Sequence, residues 1–286
     1  MTTNLSKERI GIFFAIAAYF SFSLLDVVQK NAVIYHSIFQ ILFIKYWFTL
    51  FLSIAESSRK KNYNFFKSKN IKMQFLRSFF SILESGFFIL SFSYLGLADV
   101  HSIASLTPVI VVALSAIFLK EYVSLKTWIA IFVGFIGVLI IMRPGLSLFD
   151  PKSIIPLIAA FFLSLYQIIT RKVSSYDSTE TSLFYTSITG IIIMSFFAYI
   201  YWQNLTLISY FLFACIGVFF SLAIYFQIIA LSKARASIIQ PLHYTLIFWA
   251  IILGYIFYDD FPDNFTIIGA LIISISGIYV LFNQQS

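Results

Sequence analysis

The stretch Ser23-Leu-Leu-Asp26-Val-Val-Gln-Lys30 recurs later in the chain as Ser164-Leu-Tyr-Gln167-Ile-Ile-Thr-Arg171. Each copy places a small polar, a polar and a basic residue at the same spacing, near the end of an apolar segment. A second match follows each copy, because Glu121 and Asp260 both precede a threonine by six residues. Self-similarity of this kind indicates an internal duplication. The sequence therefore predicts two related halves, residues 1–146 and 147–286.

Apolar segments of nearly bilayer length fill the rest of both halves. A hydrocarbon core of ~30 Å needs ~20 helical residues, and ten segments approach that length. They predict an all-α integral membrane protein with ten transmembrane helices. Five spans per half is an odd number, so the two five-helix repeats must be inverted, as in many secondary transporters that work by alternating access. The predicted spans are 9–30, 37–55, 74–95, 100–119, 126–143, 153–172, 180–202, 206–231, 237–257 and 264–283.

The basic residues fix the expected orientation. They concentrate in alternate gaps, most densely in 59–72, whereas the other gaps hold only Lys30, Arg143 and Lys152. Because positively charged loops stay in the cytoplasm, both termini are expected there, with the protein in the bacterial inner membrane.

Composition excludes several other classes of protein. With 60% apolar and 11% charged residues, the chain leaves no room for a soluble domain. The net charge of +7 is the orientation signal rather than evidence for nucleic-acid binding. Cys215 is the single cysteine, which excludes an intrachain disulfide and a cysteine-rich metal site. We expect no cofactor, and the absence of a P-loop argues against ATP-driven transport by this chain. The expected partners are a small-molecule substrate and the lipid bilayer, with the protein a monomer or homodimer.

The pattern Pro108…Phe118-Leu-Lys-Glu121…Trp128…Gly134-Phe-Ile-Gly137, with its echo Asp260…Gly269…Gly277, resembles the EamA-type ten-helix members of the drug/metabolite transporter superfamily. The resemblance covers essentially the whole chain and implies a transporter of small metabolites.

Several charged positions further resemble the S-adenosylmethionine-uptake branch of that family. Where the branch has an acid in span six and an arginine in span nine, this chain has Gln167 and His243. The resemblance implies an amino acid or related metabolite as substrate, with S-adenosylmethionine one candidate. The positions are Asp26, Lys30, Lys45, Arg77 and Lys233-Ala-Arg-Ala-Ser…Pro241-Leu-His-Tyr244.

Lys45 and Glu84 are predicted near the middle of spans two and three. A charge at that depth costs roughly 2.5–3.5 kcal/mol on insertion scales unless it faces a partner or a cavity. In a functional interpretation, Glu84 or Asp26 binds a cationic group or a proton and Lys45 binds a carboxylate. In the alternative, Lys45 and Glu84 form a structural ion pair between two helices. Arg77, close to the inner end of span three, is expected to reach the membrane surface as an anchor.

Asp26, Gln167, His243 and Tyr244 complete the predicted substrate-binding residues. Asp26 either lines the pathway or pairs with Lys30 one turn away. Gln167, its repeat counterpart, lines the pathway or joins two helices. His243 and Tyr244 follow a proline and either face the cavity, where the tyrosine ring would stack on the substrate, or pack in the core.

Pro108 leaves the carbonyl of Ala104 without its helical donor, so span four is expected to bend there.

An integral-membrane enzyme acting on a lipid or lipid-linked substrate is the competing class. Such an enzyme needs a nucleophile or metal constellation near an interface. The three histidines, His36, His101 and His243, are predicted to lie scattered between both surfaces and the interior, and no Ser–His–acid or HExxH pattern occurs. The sequence therefore favours a transporter.

Overall fold

The computed structural model of this 286-residue chain describes residues 2–118, 124–142, 150–235 and 239–284. Those residues form helices and connecting turns, with no β-strand among them. Glu121 and residues 143–149 of the predicted junction lie outside the described residues. The α-helices are α1 Thr2–Tyr35, α2 Ile38–Arg59, α3 Ile71–Phe92, α4 Leu97–Ala104, α5 Thr107–Phe118, α6 Leu125–Met142, α7 Ile154–Val173, α8 Thr179–Ile200, α9 Leu207–Lys233, α10 Thr245–Tyr258 and α11 Asn264–Gln284.

Length and composition of these helices match the ten predicted spans. In the described part of the chain, seven segments are long and apolar enough to cross a bilayer, with α4 and α5 counted together as Leu97–Phe118. Three shorter apolar helices, Trp128–Ile141, Leu242–Tyr258 and Asn264–Ser276, correspond to spans five, nine and ten. At ~1.5 Å rise per residue, a 22-residue helix such as α2 is about 33 Å long, which suffices for the hydrocarbon core.

Span four is interrupted next to a proline, and the described part of span nine starts with a 3₁₀ helix. In span four, α4 ends at Ala104 and α5 begins at Thr107, directly before Pro108. Because proline has no N–H, the Ala104 carbonyl lacks its helical donor, and the Thr107 hydroxyl donates to it instead at 2.7 Å. The predicted bend at Pro108 is thus confirmed as a helix break. The 3₁₀ helix of span nine, Gln240–Tyr244, contains a proline and leads into α10.

Helices of the first half pack mainly against helices of the second half. Pairs that join the two halves include α1 with α9, α2 with α8, α3 with α7, α4 with α10, and α6 with α11. Numbered as spans, these are pairs one–eight, two–seven, three–six, four–nine and five–ten. In two five-span repeats, spans one to five correspond to spans six to ten. Replacing each span by its counterpart, for example one by six and eight by three, gives the same five pairs. This is expected for two repeats related by a pseudo-two-fold axis.

The pair of α6 and α11 is held by direct backbone contact at glycine. A β-carbon built at Gly137 would lie 2.7 Å from Ile273 Cγ1 and 2.9 Å from the Gly269 carbonyl oxygen. Small residues allow this close approach, a common device for joining transmembrane helices.

Candidate substrate-binding cavity

A cavity lies inside the bundle, where α1, α2, α3, α4, α9 and the 3₁₀ helix meet. Its volume is about 50 Å³, enough for a few water molecules. Aromatic and aliphatic side chains form much of its wall, and charged or polar groups project among them. The lining residues are Tyr19, Phe22, Leu25, Asp26, Gln29, Lys45, Glu84, Ser85, Phe88, His101, Leu163, Phe220, Gln227, His243 and Leu246.

Asp26 is paired with His101 rather than with Lys30. The distance from Asp26 Oδ2 to His101 Nε2 is 2.8 Å, and both residues are buried. An ionised carboxylate only accepts hydrogen bonds, so His101 donates through Nε2. Lys30 instead contacts Asp260, at 3.3 Å. The structure therefore contradicts the alternative in which Asp26 pairs with Lys30, and it places Asp26 in the cavity wall.

Lys45 and Glu84 face the same cavity, but they do not form the direct ion pair of the structural alternative. None of the ion pairs in the described part of the chain includes Lys45. Its ammonium lies 4.0 Å from the centre of the Phe220 ring, a cation–π contact. Glu84 accepts a hydrogen bond from the Ser85 hydroxyl at 2.8 Å. Lys45 interacts electrostatically with Glu84 and with Asp26, so the three charges act on one another across the cavity.

Several buried polar atoms of the lining have no hydrogen-bond partner. They are the Tyr19 hydroxyl, Gln29 Nε2 and Nδ1 of both His101 and His243. An unpaired buried polar group costs roughly 1–3 kcal/mol, and four in one cavity form a concentration of unused hydrogen-bonding capacity. Such a cavity is suited to a polar ligand.

His101 and His243 both line this cavity. The expectation that the histidines are scattered is therefore wrong for these two. His36 is elsewhere and contacts Ser209 at 2.8 Å. The sequence signal for His101 is only that a histidine precedes the Pro108 break by seven residues, which does not by itself indicate a binding role.

Gln167 and Tyr244 do not line the cavity. Gln167 accepts a hydrogen bond from the Gln240 side chain, which links α7 to the 3₁₀ helix. This contact corresponds to the helix-joining alternative. Tyr244 is buried in a different apolar cluster, with residues such as Ile103 and Ile247. Neighbouring residues of a 3₁₀ helix point about 120° apart, so His243 reaches the cavity while Tyr244 does not.

Arg77 is fully buried, which contradicts its predicted role as a surface anchor. Its guanidinium donates to the Ser182 carbonyl at 2.5 Å, to the Thr186 hydroxyl at 2.6 Å and to Gln74 Oε1 at 3.2 Å. It also lies 5.5 Å from the centre of the Tyr166 ring. Arg77 thus joins α3 to α7 and α8 and is not part of the cavity lining.

Polar contacts link the two halves at both ends of the bundle. One end of the bundle has the Lys30–Asp260 ion pair. At the same end, the Tyr258 hydroxyl donates a hydrogen bond to the Val27 carbonyl at 2.5 Å. At the opposite end, Lys60 pairs with Glu180 at 3.0 Å, and Asp177 accepts from Lys69 N at 3.0 Å. Contacts between the halves are thus present at both ends of the bundle.

The described residues contain no group of three His, Cys, Asp or Glu side chains able to hold a metal ion. The chemistry of the cavity is that of binding, through two carboxylates, an ammonium, imidazoles and aromatic faces. Ten apolar segments around such a cavity define a polytopic membrane transporter.

Comparison with known proteins identifies the family. The model of the EamA-like transporter family matches residues 9–143 and again residues 152–283. The chain belongs to this family, and it is a multi-pass membrane transporter of small metabolites rather than an enzyme.

Individual relatives are 24–30% identical to this chain over the aligned residues. The S-adenosylmethionine uptake transporter of Rickettsia bellii is 25% identical over 292 residues, covering 100% of this chain and 98% of the relative. The pseudopaline exporter CntI of Pseudomonas aeruginosa is 24% identical over 97% of both chains. The riboflavin transporter of Vibrio cholerae is 30% identical over 58% of this chain and 56% of its own. A solved crystal structure aligns with a TM-score of 0.72 over 98% of both chains, at 14% identity, and shows the same fold.

Proposed function

We propose that this protein is a secondary transporter that moves an amino acid or amino-acid derivative through the central cavity. S-adenosylmethionine is the first candidate, because the full-length relative from Rickettsia bellii carries that name. The observation that carries the proposal is the cavity itself, with a lysine and two carboxylates on different helices.

These charges complement the two ends of an amino acid. Lys45 has no ion-pair partner among the described residues, so its ammonium is available to a substrate carboxylate. Glu84 accepts only one hydrogen bond there, from Ser85, and is available to a substrate ammonium. Charge-assisted hydrogen bonds of this kind are worth ~1.5–3 kcal/mol each. The unpartnered Tyr19, Gln29 and His243 atoms supply further contacts.

Transport by alternating access follows from the packing of the two halves, 1–146 and 147–286. Ligand pockets usually have volumes of ~300–1,000 Å³, far above the 50 Å³ of this cavity. The halves must therefore part to admit a ligand, at one end and then at the other. We place both termini in the cytoplasm and the protein in the bacterial inner membrane, on the distribution of basic residues. The cavity is complete within one chain, so a monomer suffices for transport.

A binding screen followed by counterflow tests this proposal. Purified protein is heated with amino acids, S-adenosylmethionine, riboflavin and choline-like cations, because a ligand of the folded state raises its apparent melting temperature. We expect a rise with S-adenosylmethionine or another amino-acid derivative, and saturable counterflow of that compound in liposomes. Stabilisation by riboflavin alone, or binding without counterflow, would overturn the proposal.

A further inference from the structure

We infer that the Asp26–His101 pair forms a second subsite, which binds a cationic group remote from the amino-acid end of the substrate. In this inference His101 is a positioning residue that fixes Asp26 and leaves its charge available. The inference rests on the proposed function and deepens it, since it specifies the charge that the substrate must carry.

The charges that line the cavity do not balance one another. Its lining contains two carboxylates, Asp26 and Glu84, and one ammonium, Lys45. A zwitterionic amino acid uses Lys45 for its carboxylate and Glu84 for its ammonium. Asp26 then remains as a buried carboxylate without a full positive partner, and burial of an uncompensated charge is unfavourable. A second positive centre on the substrate removes this imbalance.

His101 contacts Asp26 through one ring nitrogen and leaves the other without a partner. Its Nε2 donates to Asp26, and its Nδ1 has no hydrogen-bond partner. In a neutral ring Nδ1 is an acceptor, whereas in a charged ring it would be a buried N–H without an acceptor. A charged ring would bury an additional charge and leave a donor unsatisfied, and both are unfavourable. The geometry therefore favours neutral imidazole, which orients Asp26 without cancelling its charge.

Aromatic rings hold the Asp26–His101 pair in place. The His101 ring lies nearly parallel to the Phe88 ring, with the ring centres 6.2 Å apart and an interplanar angle of 24°. Phe92 lies against it, also with centres 6.2 Å apart. Gln29, one turn from Asp26 on α1, is buried and has an unpartnered Nε2. A fixed carboxylate beside aromatic faces is suited to a cation that cannot itself donate hydrogen bonds, such as a sulfonium or quaternary ammonium.

Two isosteric ligands test the inference directly. S-methylmethionine and its carbon analogue homoleucine have the same shape and differ in the sulfonium charge. Dissociation constants of both are measured on the full-length protein in detergent by calorimetry. We expect S-methylmethionine to bind at least ten times more tightly. S-adenosylmethionine and S-adenosylhomocysteine form a second pair, for which the same order is expected.

Variants separate positioning from folding. Asp26→Asn should bring the two affinities to within about threefold of each other by weakening S-methylmethionine alone. His101→Gln retains an N–H donor and should keep the preference, whereas His101→Leu should lose it. Equal loss of both ligands in Asp26→Asn, or the same preference in both His101 variants, would overturn the inference. Equal binding of the two ligands by the unaltered protein would overturn it as well. Failure of every amino-acid ligand to bind would instead refute the proposed function.

Discussion

Removing the charges of Lys45 and Glu84, singly and together, distinguishes a substrate site from a structural pair. In Lys45→Met the two carboxylates Asp26 and Glu84 share the cavity without an ammonium. Loss of one member of a buried charge pair typically costs about 3–5 kcal/mol, so the melting temperature should fall by roughly 10 °C. Glu84→Gln removes the repulsion between the carboxylates and should cost less. The double variant removes both charges, and its stability should return to within about 2 kcal/mol of the original.

The transport rates of the three variants should rank differently from their stabilities. Each substitution deletes one charge-assisted contact to the substrate, worth ~1.5–3 kcal/mol, or roughly 10- to 150-fold in affinity. The double variant should therefore fold well and transport poorly. The assay is counterflow in liposomes at equal amounts of folded protein, beside thermal denaturation of the same preparations.

Lys72→Met is the matched control, since Lys72 is exposed at the start of α3. It should change neither stability nor transport. Normal transport by the double variant would refute the reasoning, because Lys45 and Glu84 would then serve only the packing of α2 and α3. The double variant could also lose as much stability as Lys45→Met does. That result would show that the two charges do not compensate each other.

Three further predictions concern the packing around the cavity. Arg77→Met removes three hydrogen bonds donated by a buried guanidinium and should lower stability by about 3–5 kcal/mol, measured as a fall in melting temperature; an unchanged value would contradict the assigned role. Lys30→Asp and Asp260→Lys should each cost at most about 1 kcal/mol, because the pair is partly exposed, and the double exchange should recover any transport that the single variants lose. Gly137→Val would press against α11, with atoms 2.7 and 2.9 Å from its β-carbon, and should cost about 1–3 kcal/mol. Gly86→Ala, whose nearest neighbour would be 3.8 Å away, should leave the melting temperature unchanged.

The spans were predictable because membrane insertion depends on local composition. Any segment of ~20 apolar residues satisfies its own backbone hydrogen bonds as a helix, whatever its neighbours are. The break near Pro108 was predictable for the same reason, since proline acts on a carbonyl four residues away. These features require no knowledge of which helices pack together.

Partners of the buried charges were not predictable, because they depend on how distant helices meet. Asp26 has Lys30 one turn away, yet it pairs with His101, 75 residues further along the chain. Arg77 was expected to reach the membrane surface, but the Ser182 carbonyl and the Thr186 hydroxyl of α8 bind it inside the bundle. Neither contact has a sequence signature of its own.

Stability and function make opposite demands on the cavity. Two carboxylates, a lysine without an ion-pair partner and several unpaired polar atoms are buried together, and each of them is unfavourable for folding. A purely structural core would replace them with apolar side chains and gain stability. A ligand that supplies the missing charges and hydrogen bonds removes these unfavourable terms only in the folded state, so its binding should stabilise the protein. The same coupling explains selectivity, since a ligand that lacks one of the complementary charges leaves one buried group unpaired.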